Sequence, residues 1–143
     1  MSIEANKESA RRLYVEVFGK GNMAAADEIL APDCVNHAAD APPRIGTDGI
    51  KMQAAPLRAA IPDLTSTLDD QVAEGDRVAS RWTGSGTNTG ELHLPTGAVP
   101  PTGRHVSFGE IRIDRFENGR IVESWFIPDR MSLWQQLDLI PRP

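Results

Sequence analysis

The stretch R-H-V-S-F-G-E-I-R-I-D-R-F-E-N-G-R-I-V-E-S-W-F-I-P-D, Arg104 to Asp129, carries the strongest local signal in the chain. Two runs rich in valine, isoleucine, phenylalanine and tryptophan flank Asn118-Gly119, a pair suited to the positive φ of a hairpin turn. With Glu117 counted in the loop, the turn is one residue longer than the tightest kind. Pro128 halts the second strand, and Asp129 opens an apolar-periodic run from Met131 to Leu139. A carboxylate at the end of a buried strand and just before a helix is a natural place for chemistry. Its bland role is as an N-cap; its functional role is as a general acid or base in an apolar pocket beside Trp125, where desolvation raises a carboxylic pKa.

Within the same stretch Arg112 alternates with Ile111 and Ile113 and shares a face with Glu110 and Asp114. Pointing outward, it makes a plain surface ion pair. Pointing inward, it stabilises an enolate oxygen or clamps a carboxylate. A bulge at Gly109 would re-aim every side chain after it.

Outward from this hairpin, the preceding residues also alternate. Leu64–Ala73 and Arg77–Thr89 read as strands joined at E-G-D, and both faces carry large side chains, which suits a sheet covered on both sides. The run between them and the hairpin, E-L-H-L-P-T-G-A-V-P-P-T-G, is too rich in proline for a regular ladder. Before the strands the period is helical. Ala10, Leu13, Tyr14, Val17 and Phe18 form the apolar stripe of a helix over Glu4–Gly19, and Asn22 caps a shorter one over Met23–Leu30. C-V-N-H-A is a short extended piece carrying His37, followed by a loop. A third helix spans Thr47 to about Ala60, with a kink or break expected between Met52 and Pro56 because an interior proline lacks the donor and clashes with the preceding turn. Segregated runs of helices and strands argue for an α+β fold, in which a curved sheet wraps over helices as a cone with a pocket inside.

The 143 residues suit one domain over 1–143, long enough to bury about two-thirds of its unfolded surface. A formal net charge of −5 disfavours nucleic acid as a partner. The lone cysteine, Cys34, allows no internal disulfide and fits a reducing cytoplasm. No apolar run approaches a membrane span, and the polar first residues do not read as a secretory signal. His37, His93 and His105 lack the Cys or Glu spacing of a metal site, and His93 and His105 are expected to be solvated. No phosphate-binding loop, dinucleotide turn or Ser-His-Asp arrangement is present. Trp82, Phe108, Trp125 and Phe126 are expected in the core and pocket wall, and Trp134 is placed to close the pocket or pack at a dimer seam.

Several motifs together carry a family likeness: D-C-V-N-H-A, I-P-D-L, P-P-T-G-R-H-V-S-F, I-R-I-D-R-F-E-N-G-R-I-V-E-S-W and D-R-M-S-L-W-Q-Q-L. On these the chain resembles the SnoaL-like polyketide cyclases, or ester cyclases, of the nuclear-transport-factor-two/ketosteroid-isomerase superfamily. The resemblance implies a cone-shaped α+β barrel, usually a homodimer, with no metal or organic cofactor. It implies that Asp129 is the acid/base of an intramolecular aldol closure and that His37 lies at the pocket mouth. Arg112 stands where a pocket histidine is common, Ser124 where a histidine usually precedes the tryptophan, and Phe126 where an acidic residue is frequent. The expected activity is therefore proton abstraction next to a carbonyl in an apolar small molecule, with Asp129 as base and His37 or Arg112 supporting the oxyanion. A hydrolase, hydratase or isomerase on the same cone, and a non-catalytic small-molecule binder, fit the same residues.

Overall fold

The computed structural model describes residues 2–39, 41–94 and 96–142. Asp40, in the expected loop, and Pro95, inside the proline-rich excursion, lie outside the described residues. Four α-helices and eight strands follow the order α1 (Ile3–Arg12), a π-helical segment (Leu13–Gly19), α2 (Met23–Ile29), β1 (Leu30–Ala38), β2 (Arg44–Ile45), α3 (Thr47–Ala60), β3 (Thr65–Glu74), β4 (Arg77–Thr87), β5 (Leu92–Leu94), β6 (Gly97–Val99), β7 (His105–Glu117), β8 (Arg120–Pro128) and α4 (Arg130–Gln136). Six strands form one curved sheet in the order β2-β1-β8-β7-β4-β3. All neighbours in it are antiparallel except β1 and β8, which run parallel. The fold is α+β, and the sheet does not close into a barrel.

Several local expectations change. The first helix is α-helical only to Arg12; Leu13–Gly19 winds wider, as a π-helix. That segment buries Leu13, Tyr14, Val17 and Phe18 against the sheet. Burying each large apolar side chain stabilises the fold by roughly 1.5–3 kcal/mol, enough to hold a less regular winding. The third helix runs through Pro56 without a break. Pro56 and Met52, whose carbonyl loses its i+4 partner, are both exposed, so that carbonyl is not buried without water. The proline-rich excursion contains a two-stranded ladder of its own, β5 with β6.

The hairpin turn is the tight two-residue kind. Glu117 pairs with Arg120, and Asn118 and Gly119 take φ of 51° and 78°. The ladder of β7 with β4 continues unbroken through Gly109. The irregularity falls in β8 instead, where Arg115 pairs with Glu123 but Phe116 with Ile121, leaving Val122 as the extra residue. Because no bulge falls at Gly109, simple alternation carries from Phe108 to Asp114.

One buried cluster lies where α1, the π-helical segment, α2 and α3 pack on the inner face of the sheet. A second, built on Ile61, Leu64, Val106, Leu133 and Leu137, seats the last helix. The cavity described next lies between them.

Candidate active site

Along the middle of β7 the usual polarity is reversed. Ile111 and Ile113 point outward and are 54% and 38% exposed, whereas Arg112 and Asp114 are 0% and 1% exposed on the inner face. Two fully buried charges cost more than burial of apolar groups returns unless each is paired. Here they pair with each other: Arg112 Nε donates to Asp114 Oδ1 at 2.8 Å. Ser124 Oγ donates to the same carboxylate oxygen at 2.5 Å, and Arg112 Nη2 donates to Asn36 Oδ1 at 3.0 Å. Asn36 Nδ2 continues to Gln53 Oε1 on α3 at 3.2 Å. Burial works against the Arg112 charge, but the surrounding Asp114, Tyr14 and Glu110 hold its pKa above the ordinary value. Arg112 thus faces inward as a paired cation; its guanidinium carbon lies 5.3 Å from the ring centre of Phe126 and 5.8 Å from that of Tyr14.

One step nearer the open end of the sheet is Glu110. The Tyr14 hydroxyl donates to its Oε1. Burial raises the Glu110 pKa above the ordinary carboxyl range; Arg112, the Tyr14 hydrogen bond and Arg130 pull it back, and Asp114 adds to the rise. Tyr14 is pushed well above its ordinary value, first by burial and then by Glu110, with Arg112 opposing. Both groups, carboxyl and phenol, thus have their pKa raised, beside the buried Arg112–Asp114 ion pair. Trp82 stacks on Tyr14 with ring centres 4.5 Å apart and fixes the phenol from behind.

Glu110 faces a cavity of about 440 Å³. The cavity is enclosed by the inner face of the sheet, α3 through Met52, Pro56 and Leu57, the β5 strand through Leu92 and Leu94, and α4 through Leu133 and Trp134. Phe108 and Phe126 complete a wall that is largely carbon, and Asp129, Arg130, Arg44, Asn36 and His93 supply its polar atoms. Such a volume, apolar with a few polar groups, suits a small molecule.

Asp129 is exposed on this cavity, at the N-terminus of α4. Its side chain accepts from Ser132 N at 3.0 Å, the geometry of an N-cap, and its own N–H donates to Gly109 O at 2.9 Å. Since Glu110 is the register partner of Pro128, the Asp129 and Glu110 carboxyls come from neighbouring positions of one ladder. Asp129, Phe108, Phe126 and Trp134 therefore meet at the cavity, with Arg112 behind its wall and Trp82 in the core.

His37 and Trp125 lie elsewhere. They are register partners in the β1–β8 ladder, and because Asn36 and Phe126 point inward, both point to the outer face. There they stack at 5.5 Å between ring centres, with His37 Nε2 2.7 Å from Glu123 Oε2 and the Arg77 guanidinium over Trp125 at 5.2 Å. Asp129 thus has Phe126 rather than Trp125 as its aromatic cavity neighbour. His93, expected to be solvated, is exposed but stands on the cavity rim.

Sequence reading passed over Tyr14, Asn36, Arg44 and Glu110. Tyr14 looked like one more position of an apolar helix stripe. Glu110 was visible only as a face-mate of Arg112, and the signal that could have raised it is charge at alternate positions between Phe108 and Phe116. Among the described residues no group of three or more His, Cys, Asp or Glu is placed to hold a metal ion, and no helix is long and apolar enough to cross a membrane.

Solved structures superpose along nearly the whole chain. AclR of Streptomyces galilaeus, a candidate hydroxylase, is 27% identical with a TM-score of 0.85, covering 99% of this chain and 86% of its own. TsrD of Streptomyces laurentii is 25% identical with a TM-score of 0.82, covering 98% and 99%. IdmH of Streptomyces antibioticus, a candidate polyketide cyclase, is 32% identical with a TM-score of 0.75, covering 93% and 98%. No curated protein matches the sequence. Residues 8–137 match the family model described as SnoaL-like polyketide cyclase, and the chain belongs to that family.

Proposed function

We propose that the chain is a soluble, cytoplasmic acid/base enzyme that removes a proton from carbon next to a carbonyl in an apolar, ring-forming compound. The observation that carries the reading is the pair of carboxyl groups on one apolar cavity, exposed Asp129 on its rim and half-buried Glu110, bonded to Tyr14, in its wall. Groups in such different surroundings divide the work of base and acid.

In this reading the Asp129 carboxylate takes the proton, the electron pair of the C–H bond becomes a carbon–carbon double bond, and the π pair of the carbonyl moves onto its oxygen. In its protonated form, which burial favours, Glu110 donates to that oxygen where negative charge develops, and Tyr14 keeps the carboxyl in place. The enol carbon then attacks a second carbonyl of the same molecule. The new C–C bond closes a ring, the first carbonyl re-forms, and the alkoxide made at the second takes the proton that Asp129 removed, which restores the Asp129 carboxylate. Arg112 does not touch the substrate; its charge limits how far burial raises the Glu110 pKa. The apolar wall excludes water that would otherwise protonate the enolate.

Deuterium uptake tests this directly. Polycyclic compounds with enolisable ketones, incubated with the protein in heavy water, should exchange the hydrogen next to the carbonyl, and Asp129→Asn should abolish the exchange. Compounds that bind the cavity without exchange or ring closure would make the chain a binding protein.

A further inference from the structure

Of the charged side chains on the cavity, Asp129 caps α4, Glu110 accepts from Tyr14, and Arg130 is engaged within the fold. Arg44 differs: its side chain makes no hydrogen bond or ion pair with another described residue. It is nevertheless held in place. Its backbone pairs in register with Asn36 of β1, itself a cavity residue, and its Cβ lies so close to Gly49 of α3 that a Cβ built at 49 would stand 2.7 Å away. The strand and the helix start thus grip the stem of Arg44, and the exposed side chain stands at the cavity mouth.

We infer that the substrate carries a carboxylate, held at the mouth by the Arg44 guanidinium while its apolar body fills the cavity; this rests on the reading of the cavity as the substrate site. A guanidinium presents two parallel N–H donors that match the two oxygens of a carboxylate, and no described residue competes for those of Arg44. One unpaired cation matches one negative charge. A dianion such as a phosphate monoester would bring a second charge toward Asp129 with no second free guanidinium among the described cavity residues to meet it. Anchoring at the mouth also sets which end of the molecule reaches Glu110, so Arg44 determines orientation as well as selection.

The test compares naphthoate with its neutral methyl ester, on wild type and Arg44→Met, by titration at neutral pH with methyl-labelled methionine. Met52 lines the cavity and reports its occupancy by NMR, with Met131 on the surface of α4 as the control. Wild type should bind naphthoate about tenfold more tightly than the ester, a factor equal to about 1.4 kcal/mol. Arg44→Met should bring the two to equal affinity without weakening the ester, and added salt should shrink the wild-type preference. Equal binding of the two in wild type, or a preference that survives Arg44→Met, overturns the assignment to Arg44 while the cavity stands as the substrate site. If neither compound shifts Met52, the reading of the cavity itself falls, and the inference with it.

Discussion

The hydroxyl of Tyr14 donates to the carboxyl of Glu110, 96 residues further along the chain, and so joins the first helical segment to the inner face of the sheet at the cavity wall. Tyr14 is buried and Glu110 half-buried, and both hold their protons to higher pH than usual. The pair is polar matter placed where the fold would be better served by carbon, and it has consequences for stability and chemistry alike.

Glu110 gives a pH signature. Its folded-state pKa is raised, so as pH rises through the ordinary carboxyl range the unfolded chain ionises first and folding loses stability until the folded pKa is passed. Glu110→Gln keeps the shape and cannot ionise. Its melting temperature should therefore exceed that of wild type increasingly as pH rises through this window, and the two should converge in acid. Parallel curves across the range would mean that Glu110 is not the source of the effect.

Asp129 separates capping from catalysis. Asn caps about as well as Asp, so Asp129→Asn should leave the melting temperature nearly unchanged; Asp129→Ala should cost about 0.5–2 kcal/mol through the lost bond to Ser132. Loss of a general base lowers turnover by about 10²–10⁴-fold, and both variants should show that loss equally. Full turnover in Asp129→Asn, with a stability loss confined to Asp129→Ala, would leave Asp129 as a cap alone.

The Arg112–Asp114 pair is a stability element first. Asp114→Asn strands a buried guanidinium and should cost about 3–5 kcal/mol in urea unfolding, whereas replacing both residues with leucine should cost much less. A double variant as unstable as the single one would show that the contacts to Asn36 and Ser124, rather than the charges, hold this layer together.

The outer face of the sheet bears on assembly. Val72 and Ile127 are 62% and 64% exposed there, beside Ile111 and Ile113, and no helix among the described residues covers them. We expect two copies to cover this face for one another. Sedimentation should report a dimer at micromolar concentration, and Ile113→Glu with Ile127→Glu should yield a folded monomer. A wild-type monomer would remove the expectation.

Local chemistry alone determined much of this protein. Alternation, the Asn118-Gly119 turn, the Asp129 cap and the helical stripe around Leu13 rest on neighbours a few residues apart, and these set the element order and the α+β class. Alternation even placed Glu110, Arg112 and Asp114 on one face, but it could not say which face was inside. That choice belongs to the tertiary structure, because hydrophobicity points the other way: isoleucines lie between those charges, and a sequence reader would turn them to the core. Only when the π-helical extension of α1 packs on the sheet and β1 joins it beside β8 do Tyr14 and Asn36 arrive to bond Glu110 and Arg112 and make the buried arrangement affordable. The parallel pairing of β1 with β8 is non-local in the same way; it turned His37 and Trp125 outward together, away from the cavity their sequence neighbours line.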